Sequence, residues 1–172
     1  MASTPRGGPQ GVAIGGFMGT GKSTVGPLLA AYMGLPFVDL DGEVERSAGL
    51  SVGQIFATEG EASFRQWEQC SLRQVSSRGP SVVALGGGTL HQAGWKEALA
   101  DFRVVVLCAS WDVVQERIHS DERVRPLLTD AQSLYQQRLP GYAAAGIQVQ
   151  VDGLSPEQVL GQLVDRLSGA RA

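Results

Sequence analysis

The sequence predicts an α/β fold, a three-layer α/β/α sandwich in which helices cover both faces of a parallel sheet. Three observations carry this expectation. Short apolar runs rich in Val alternate with helical patterns along the whole chain. The run Gly16-Phe17-Met18-Gly19-Thr20-Gly21-Lys22-Ser23-Thr24 is a complete phosphate-binding P-loop. That loop follows an apolar run and precedes a helical one, which is the context such a loop requires.

Met1 to Gln10 is polar, rich in Gly and Pro, and without an apolar signal-peptide centre, so it is expected to be a short flexible tail. Val12-Ala13-Ile14 is the first buried strand. In the loop that follows, glycines let the backbone curl so that several N–H groups face one phosphate, and the next helix adds the positive end of its dipole. Gly19, Thr20, Gly21, Lys22, Ser23 and Thr24 are therefore candidate nucleotide contacts. Lys22 supplies a point charge between the β- and γ-phosphates, and the Ser23 hydroxyl is placed to ligate Mg²⁺. The helix Val25 to Met33 contains Pro27, which removes one intrahelical bond close to the first turn.

Pro36 to Leu40 is the second strand. Alternation puts Phe37, Asp39 and Asp41 on one side, with two carboxylates at the carboxyl end, where ligands bind in open parallel sheets. An aspartate there also suits a helix cap, and Asp41 could serve as one. On a helix from Glu61 to Ser76, the residues Phe64, Trp67, Leu72 and Val75 form an apolar side, while Gln66, Gln69 and Arg73 face solvent. Arg65 and Glu68 fall with the apolar group or at its border, three residues apart. A buried charge is costly unless paired, so Glu68 either orients Arg65 toward an anion in a cleft or forms a structural ion pair at the core edge.

Ser81 to Leu85 is the third strand, and Gly86-Gly87-Gly88 follows it directly. Three glycines leave bare N–H groups against which a substrate can lie, or simply make a flexible turn. Arg103 to Cys108 is the fourth strand. Asp121-Glu122-Arg123-Val124-Arg125-Pro126 is a charged stretch between helices, either a lid that brings positive charge to a transferred phosphoryl group or a solvated surface loop. Between Ser133 and Tyr142, Tyr135, Leu139 and Tyr142 form a stripe that includes Arg138. Pro140 is expected to prevent a regular continuation, and the freed carbonyls and bend would hold Arg138; the alternative is an arginine snorkelling past a tyrosine ring. Ile147 to Val151 is the fifth strand. The last helix opens with Ser155 as N-cap, Pro156 at its first position and Gln158 completing a capping box, followed by the stripe Val159, Leu160, Leu163, Val164 and Leu167.

Composition narrows the function classes. The 172 residues suffice for one domain, 1–172, with a well-buried core. A net charge of −3 without any Lys/Arg run gives no basic field for nucleic acid. No apolar run approaches membrane-spanning length. Cys70 and Cys108 show no metal or redox spacing and are expected to be two small buried hydrophobes in a reducing cytoplasm. The expected partner is a small molecule, and the expected assembly a monomer.

Several separated stretches, together covering the chain from about Val12 onward, resemble the shikimate kinase family. They are the P-loop, Phe37-Val-Asp-Leu-Asp41, Ile55 through Phe64-Arg65 with Glu68, Leu85-Gly-Gly-Gly88, Arg125-Pro-Leu-Leu128 and Arg138-Leu-Pro-Gly-Tyr142. The P-loop alone is shared with many nucleotide-binding proteins; the Asp-x-Asp, Phe-Arg-x-x-Glu and triple-glycine set in this order is far more specific. The resemblance implies transfer of the ATP γ-phosphate to the 3-hydroxyl of shikimate, in aromatic amino-acid biosynthesis. It implies a five-stranded parallel sheet of order 2-3-1-4-5, a lid at about 119–131 and a mobile substrate-binding region at about 41–63. By the same resemblance Asp41 contacts the reacting hydroxyl, Arg65 and Arg138 hold the substrate carboxylate, and Gly87 and Gly88 touch substrate through backbone. Arg125 reaches the ATP phosphates from the lid, and Asp39 assists Mg²⁺. Lys22, Asp41 and Arg125 are the catalytic set so implied.

The chain departs from the family pattern in three places. Pro27 stands where a basic residue is common, and the loop Val151 to Pro156 has no arginine. Without an arginine there, adenine contact falls to Arg117 and Pro156, and the stretch from Arg117 to Arg125 is one residue longer than usual. The competing readings are another small-metabolite P-loop kinase, for gluconate or a nucleoside monophosphate, or a non-catalytic nucleotide-binding relative. The last should have lost Lys22, Asp41 or an arginine, and none is lost.

Overall fold

The computed structural model describes residues 11–120 and 130–169. Its sheet has five parallel strands: β1 (Gly11–Gly16), β2 (Phe37–Asp39), β3 (Val82–Ala84), β4 (Phe102–Cys108) and β5 (Ile147–Gln150), in the order β2-β3-β1-β4-β5. This is the order the family resemblance implies. Every residue of β1 and β3 is buried. Successive side chains of a strand point to opposite faces, so both faces of the sheet are covered, as in a three-layer arrangement.

The helices are α1 (Lys22–Met33), α2 (Leu40–Ala48), α3 (Val52–Thr58), α4 (Gly60–Ser77), α5 (Trp95–Ala98), α6 (Trp111–Ser120), α7 (Ala131–Ala145) and α8 (Pro156–Gly169). A short 3₁₀ turn, Thr89–His91, stands between β3 and α5. The main core gathers Ile14, Leu29, Val83, Val105, Leu107 and Leu163 between sheet and helices. A second, smaller apolar cluster of Val44, Ile55 and Phe64 binds α2, α3 and α4 to one another. The 41–63 stretch, with the next turn of α4, is therefore a helical unit with apolar packing of its own.

Local chemistry explains the boundaries. The last helix starts as predicted: Ser155 N–H donates to Gln158 Oε1 at 2.8 Å, and Gln158 N–H to Ser155 Oγ at 3.3 Å. An equivalent box, Ser51 with Gln54, opens α3. The second strand ends earlier than expected. Asp39 caps α2, its Oδ1 accepting from the N–H groups of Asp41 (3.1 Å) and Gly42 (3.4 Å). Asp41 thus lies in the first turn of a helix, and strand alternation has no bearing on its direction.

The expectation that Pro140 interrupts the seventh helix is also corrected: α7 runs through it to Ala145. Pro140 and Gln136, whose carbonyl loses its donor, are both exposed, so water can take that carbonyl. Pro27 is accommodated in the same way, on the exposed side of α1 with Ser23. Leu139 leaves the expected stripe and is exposed, whereas Ala131, Tyr135, Arg138 and Tyr142 are buried. Cys70, expected in the core, is exposed because it shares the solvated side of α4 with Gln66 and Arg73. Cys108 is half-buried, and burial pushes its thiol above the ordinary range.

Candidate active site

The P-loop joins β1 to α1. Its backbone needs glycine where φ is positive: 79° at Gly19 and 97° at Gly21, the residue before the helix. A side-chain carbon at Gly16 would also lie 2.5 Å from the backbone oxygen of Leu107. Thr20 is buried and its hydroxyl donates to Phe17 O at 2.8 Å, bracing the loop from inside. Lys22 Nζ donates to Gly16 O and Phe17 O at 2.8 and 2.9 Å, which folds its ammonium back over the loop. No side chain caps the N-terminus of α1, where Ser23 and Thr24 are exposed.

Asp39 divides its two oxygens. While Oδ1 caps α2, Oδ2 accepts from Ser23 Oγ at 3.1 Å. The strand end of β2 and the start of α1 therefore present two hard oxygen donors side by side, a set that suits Mg²⁺.

The triple glycine is where the remaining candidates meet. A side-chain carbon built at Gly86 would lie 2.4 Å from Glu68 Oε1 and 3.1 Å from Asp41 Oδ1. At Gly87 it would lie 3.1 Å from Arg138 Nη1 and 3.8 Å from the Met18 nitrogen of the P-loop. At Gly88 it would fall 2.7 Å from both terminal nitrogens of Arg65. Three bare backbone positions thus receive, in sequence, two carboxylates, one guanidinium and a second guanidinium.

Both arginines are held from behind. Arg65 Nη1 donates to Glu68 Oε2 at 2.9 Å, and the buried Glu68 also accepts from Thr89 Oγ1 at 2.7 Å. The pairing expected from the three-residue spacing is present, and the second bond satisfies a charge that would otherwise be costly. Arg65 Nη2 reaches Glu61 Oε1 at 3.1 Å, a partner that sequence reasoning missed although Glu61 lies one helical turn away. Arg65 Nε is buried with no hydrogen-bond partner among the described residues. Arg138 is buried, not snorkelling, and its guanidinium lies over the Phe17 ring, 5.7 Å from the centroid. Phe17 packs edge-on against Tyr135 at 5.4 Å, so a P-loop side chain forms the floor under Arg138.

Arg117 Nη1 donates to Gly19 O at 3.0 Å, which puts this guanidinium on the P-loop. Pro156 opens α8 just after β5. Asp152, in the loop before it, accepts from Ser110 N–H at 2.9 and 3.1 Å and ties that loop to the start of α6. Arg125 and most of the expected lid lie outside the described residues, as does the expected tail.

Tyr142 was expected on the stripe with Arg138 and within a family motif, without a role of its own. Its hydroxyl donates to Gly87 O, and burial pushes its pKa up to about 12, so it stays a neutral donor. Its spacing of four from Arg138 put it on the right helical side, but the partner, Gly87 O, lies on another element.

The family model described as "Shikimate kinase" matches residues 18–168. The chain belongs to the shikimate kinase family. A shikimate kinase of Chlorobium chlorochromatii is 40% identical over 158 residues, covering 84% of this chain and 83% of that protein. One from Nostoc punctiforme is 38% identical, covering 87% and 86%. A solved structure of shikimate kinase from Acinetobacter baumannii in complex with shikimate superposes with a TM-score of 0.88, at 30% identity and 94% coverage of both chains. Membership makes the chain a kinase, the chemistry for which a P-loop beside an acceptor cleft is suited.

Proposed function

We propose that this chain transfers the γ-phosphoryl group of ATP to the 3-hydroxyl of shikimate, giving shikimate 3-phosphate and ADP. The observation that carries this is the meeting of Asp41, Arg65 and Arg138 at Gly86-Gly87-Gly88, against Met18 and Phe17 of the P-loop. Two guanidinium groups in one cleft call for a carboxylate, and a third group, Asp41, calls for a hydroxyl beside it. The buried Arg65 Nε without a partner fits the same anion.

Arg65 and Arg138 grip the substrate carboxylate, and the backbone at Gly87 and Gly88 lies against its ring. Asp41 accepts a hydrogen bond from the reacting hydroxyl and aligns it with the γ-phosphorus. The hydroxyl oxygen forms the new P–O bond as the bond to the ADP oxygen breaks, and the hydroxyl proton leaves toward Asp41. Gly19, Thr20, Gly21, Lys22, Ser23 and Thr24 cradle the nucleotide phosphates, with Lys22 as the fixed charge. Arg125 adds charge from the lid, and Arg117 and Pro156 flank the adenine. Ser23 and Asp39 would hold Mg²⁺, which when bound neutralises charge on the phosphate oxygens.

The helical unit at 41–63 is the part that moves with substrate, consistent with its separate small apolar cluster. A cytoplasmic monomer fits two unpaired cysteines and, among the described residues, only Tyr32 and Leu139 as exposed large hydrophobics. No described helix is long and apolar enough to cross a membrane.

A coupled ADP-release assay with a panel of acceptors tests the function. ADP release should depend on shikimate and stay near background with gluconate or nucleoside monophosphates. Equal or faster turnover on either rival acceptor overturns the reading.

A further inference from the structure

One histidine joins the triple-glycine loop to the helix that carries Arg138, and no step above uses it. His91 ends the 3₁₀ turn, and its backbone N–H donates to Gly88 O at 3.0 Å. On the other side its Nε2 lies 3.0 Å from the backbone oxygen of Arg138. A carbonyl oxygen only accepts, so Nε2 carries the hydrogen. Burial, helped by the Arg138 and Arg65 charges and opposed by the bond to the Arg138 carbonyl, holds the ring below its ordinary pKa. The imidazole is therefore neutral, with Nε2 as its one donor.

Neighbouring contacts converge on the same junction. The His91 ring meets Tyr142 edge-on, centroids 4.9 Å apart at 84°. Tyr142 in turn donates to Gly87 O. The helix can approach the imidazole because residue 141 is glycine: a side-chain carbon there would lie 2.4 Å from His91 Nε2. The junction falls in a stretch where the helical ladder is thinned, since Pro140 cannot donate to Gln136 O.

We propose that His91 is a positioning residue for Arg138: its Nε2–H bond fixes this turn of α7 against the triple glycine and so sets the cleft width in which the substrate carboxylate is held. The inference rests on the proposed shikimate kinase activity. A histidine that merely filled space would serve equally well as any flat ring. A positioning histidine is needed for its donor, and its loss should weaken carboxylate binding without touching the phosphoryl-transfer groups.

Two substitutions separate these. His91→Phe keeps a ring beside Tyr142 and removes the donor; His91→Gln keeps an N–H at similar reach. We expect His91→Phe to raise the Michaelis constant for shikimate by roughly five- to tenfold, about what one lost hydrogen bond is worth. Its kcat and its Michaelis constant for ATP should stay within about twofold, and His91→Gln should stay near the parent in all three. An unchanged shikimate constant in His91→Phe overturns the proposal, as does an equal rise in both variants. If His91→Phe does not fold, the imidazole ¹⁵N signals of the parent decide: the Nε2–H tautomer is required, and an Nδ1–H tautomer overturns the role. A parent chain without shikimate-dependent ADP release defeats the functional reading first, and this inference with it.

Discussion

Glu68 and Asp41 both face Gly86, and their surroundings assign them different work. Glu68 is buried and committed to Arg65 and Thr89, so it orients a cation rather than meeting a substrate. Asp41 lies in the first turn of α2, beside the same glycine. We expect Asp41→Asn to lower kcat by roughly two to four orders of magnitude, the usual worth of a positioned acid–base group. Its affinity for ATP, measured by calorimetry, should stay within about threefold of the parent. A parallel fall in ATP affinity would show that Asp41 serves the nucleotide instead. At this scale the sequence was informative where partners are close along the chain. The Arg65–Glu68 pair follows from a spacing of three on one helix. His91 and Tyr142 were not legible, because the bonds that define them reach Arg138 and Gly87 across 47 and 55 positions. Strand alternation could not orient Asp41, because a three-residue strand gives way to a helix at Leu40.

Between elements, the helical unit that carries Asp41 and Arg65 is tied by charge as well as by apolar packing. Glu43 on α2 accepts from Arg46 and, at 3.0 Å, from Arg78 at the end of α4. Burial alone would raise the pKa of Glu43, but the bonds from Arg46 and Arg78 outweigh it and hold the carboxyl below its ordinary value of 4.5. A carboxyl with a depressed folded pKa adds stability above the unfolded value and loses it as pH falls through the folded one. Both arginines are half exposed or more, so screening keeps the contribution small. Glu43→Gln should therefore cost about 0.5–1 kcal/mol at pH 7 in urea unfolding, and the gap should close in acid as pH falls through the depressed folded value. A gap that persists unchanged in acid would assign the effect to packing. Element by element, the five strands and the Ser155 capping box were legible from alternation and capping chemistry. The Ser51–Gln54 box carries the same signature and went unused. Pro140 misled because a proline on an exposed helix side loses only a carbonyl that water can satisfy.

Across the whole molecule, one candidate group or more stands at or after the carboxyl end of each strand. The P-loop follows β1, Asp39 and Asp41 end or follow β2, and the glycines follow β3. Arg117 follows β4, and the Pro156 loop follows β5. That placement was readable in advance, because parallel sheets put their ligands there. The meeting of acceptor-side and P-loop residues was not, since Arg138 lies over the Phe17 ring from the far end of the chain. Nucleotide and acceptor sites nevertheless remain separable in energy. A ligand that binds only the folded chain at a hundredfold excess over its dissociation constant adds about 2.7 kcal/mol, which in a protein of this size raises Tm by roughly 5–10 °C. Shikimate alone and ADP alone should each produce a shift on this scale in the parent. Arg65→Lys keeps the charge but loses the planar fork that grips a carboxylate. It should keep the ADP shift and lose most of the shikimate shift at the same concentrations, because Arg65 touches Gly88 and Glu68 while the proposed phosphate cradle is the P-loop. Equal loss of both shifts would mean that Arg65 supports the fold as a whole. An undiminished shikimate shift would mean that the carboxylate is held elsewhere, and the two-arginine clasp would have to be abandoned.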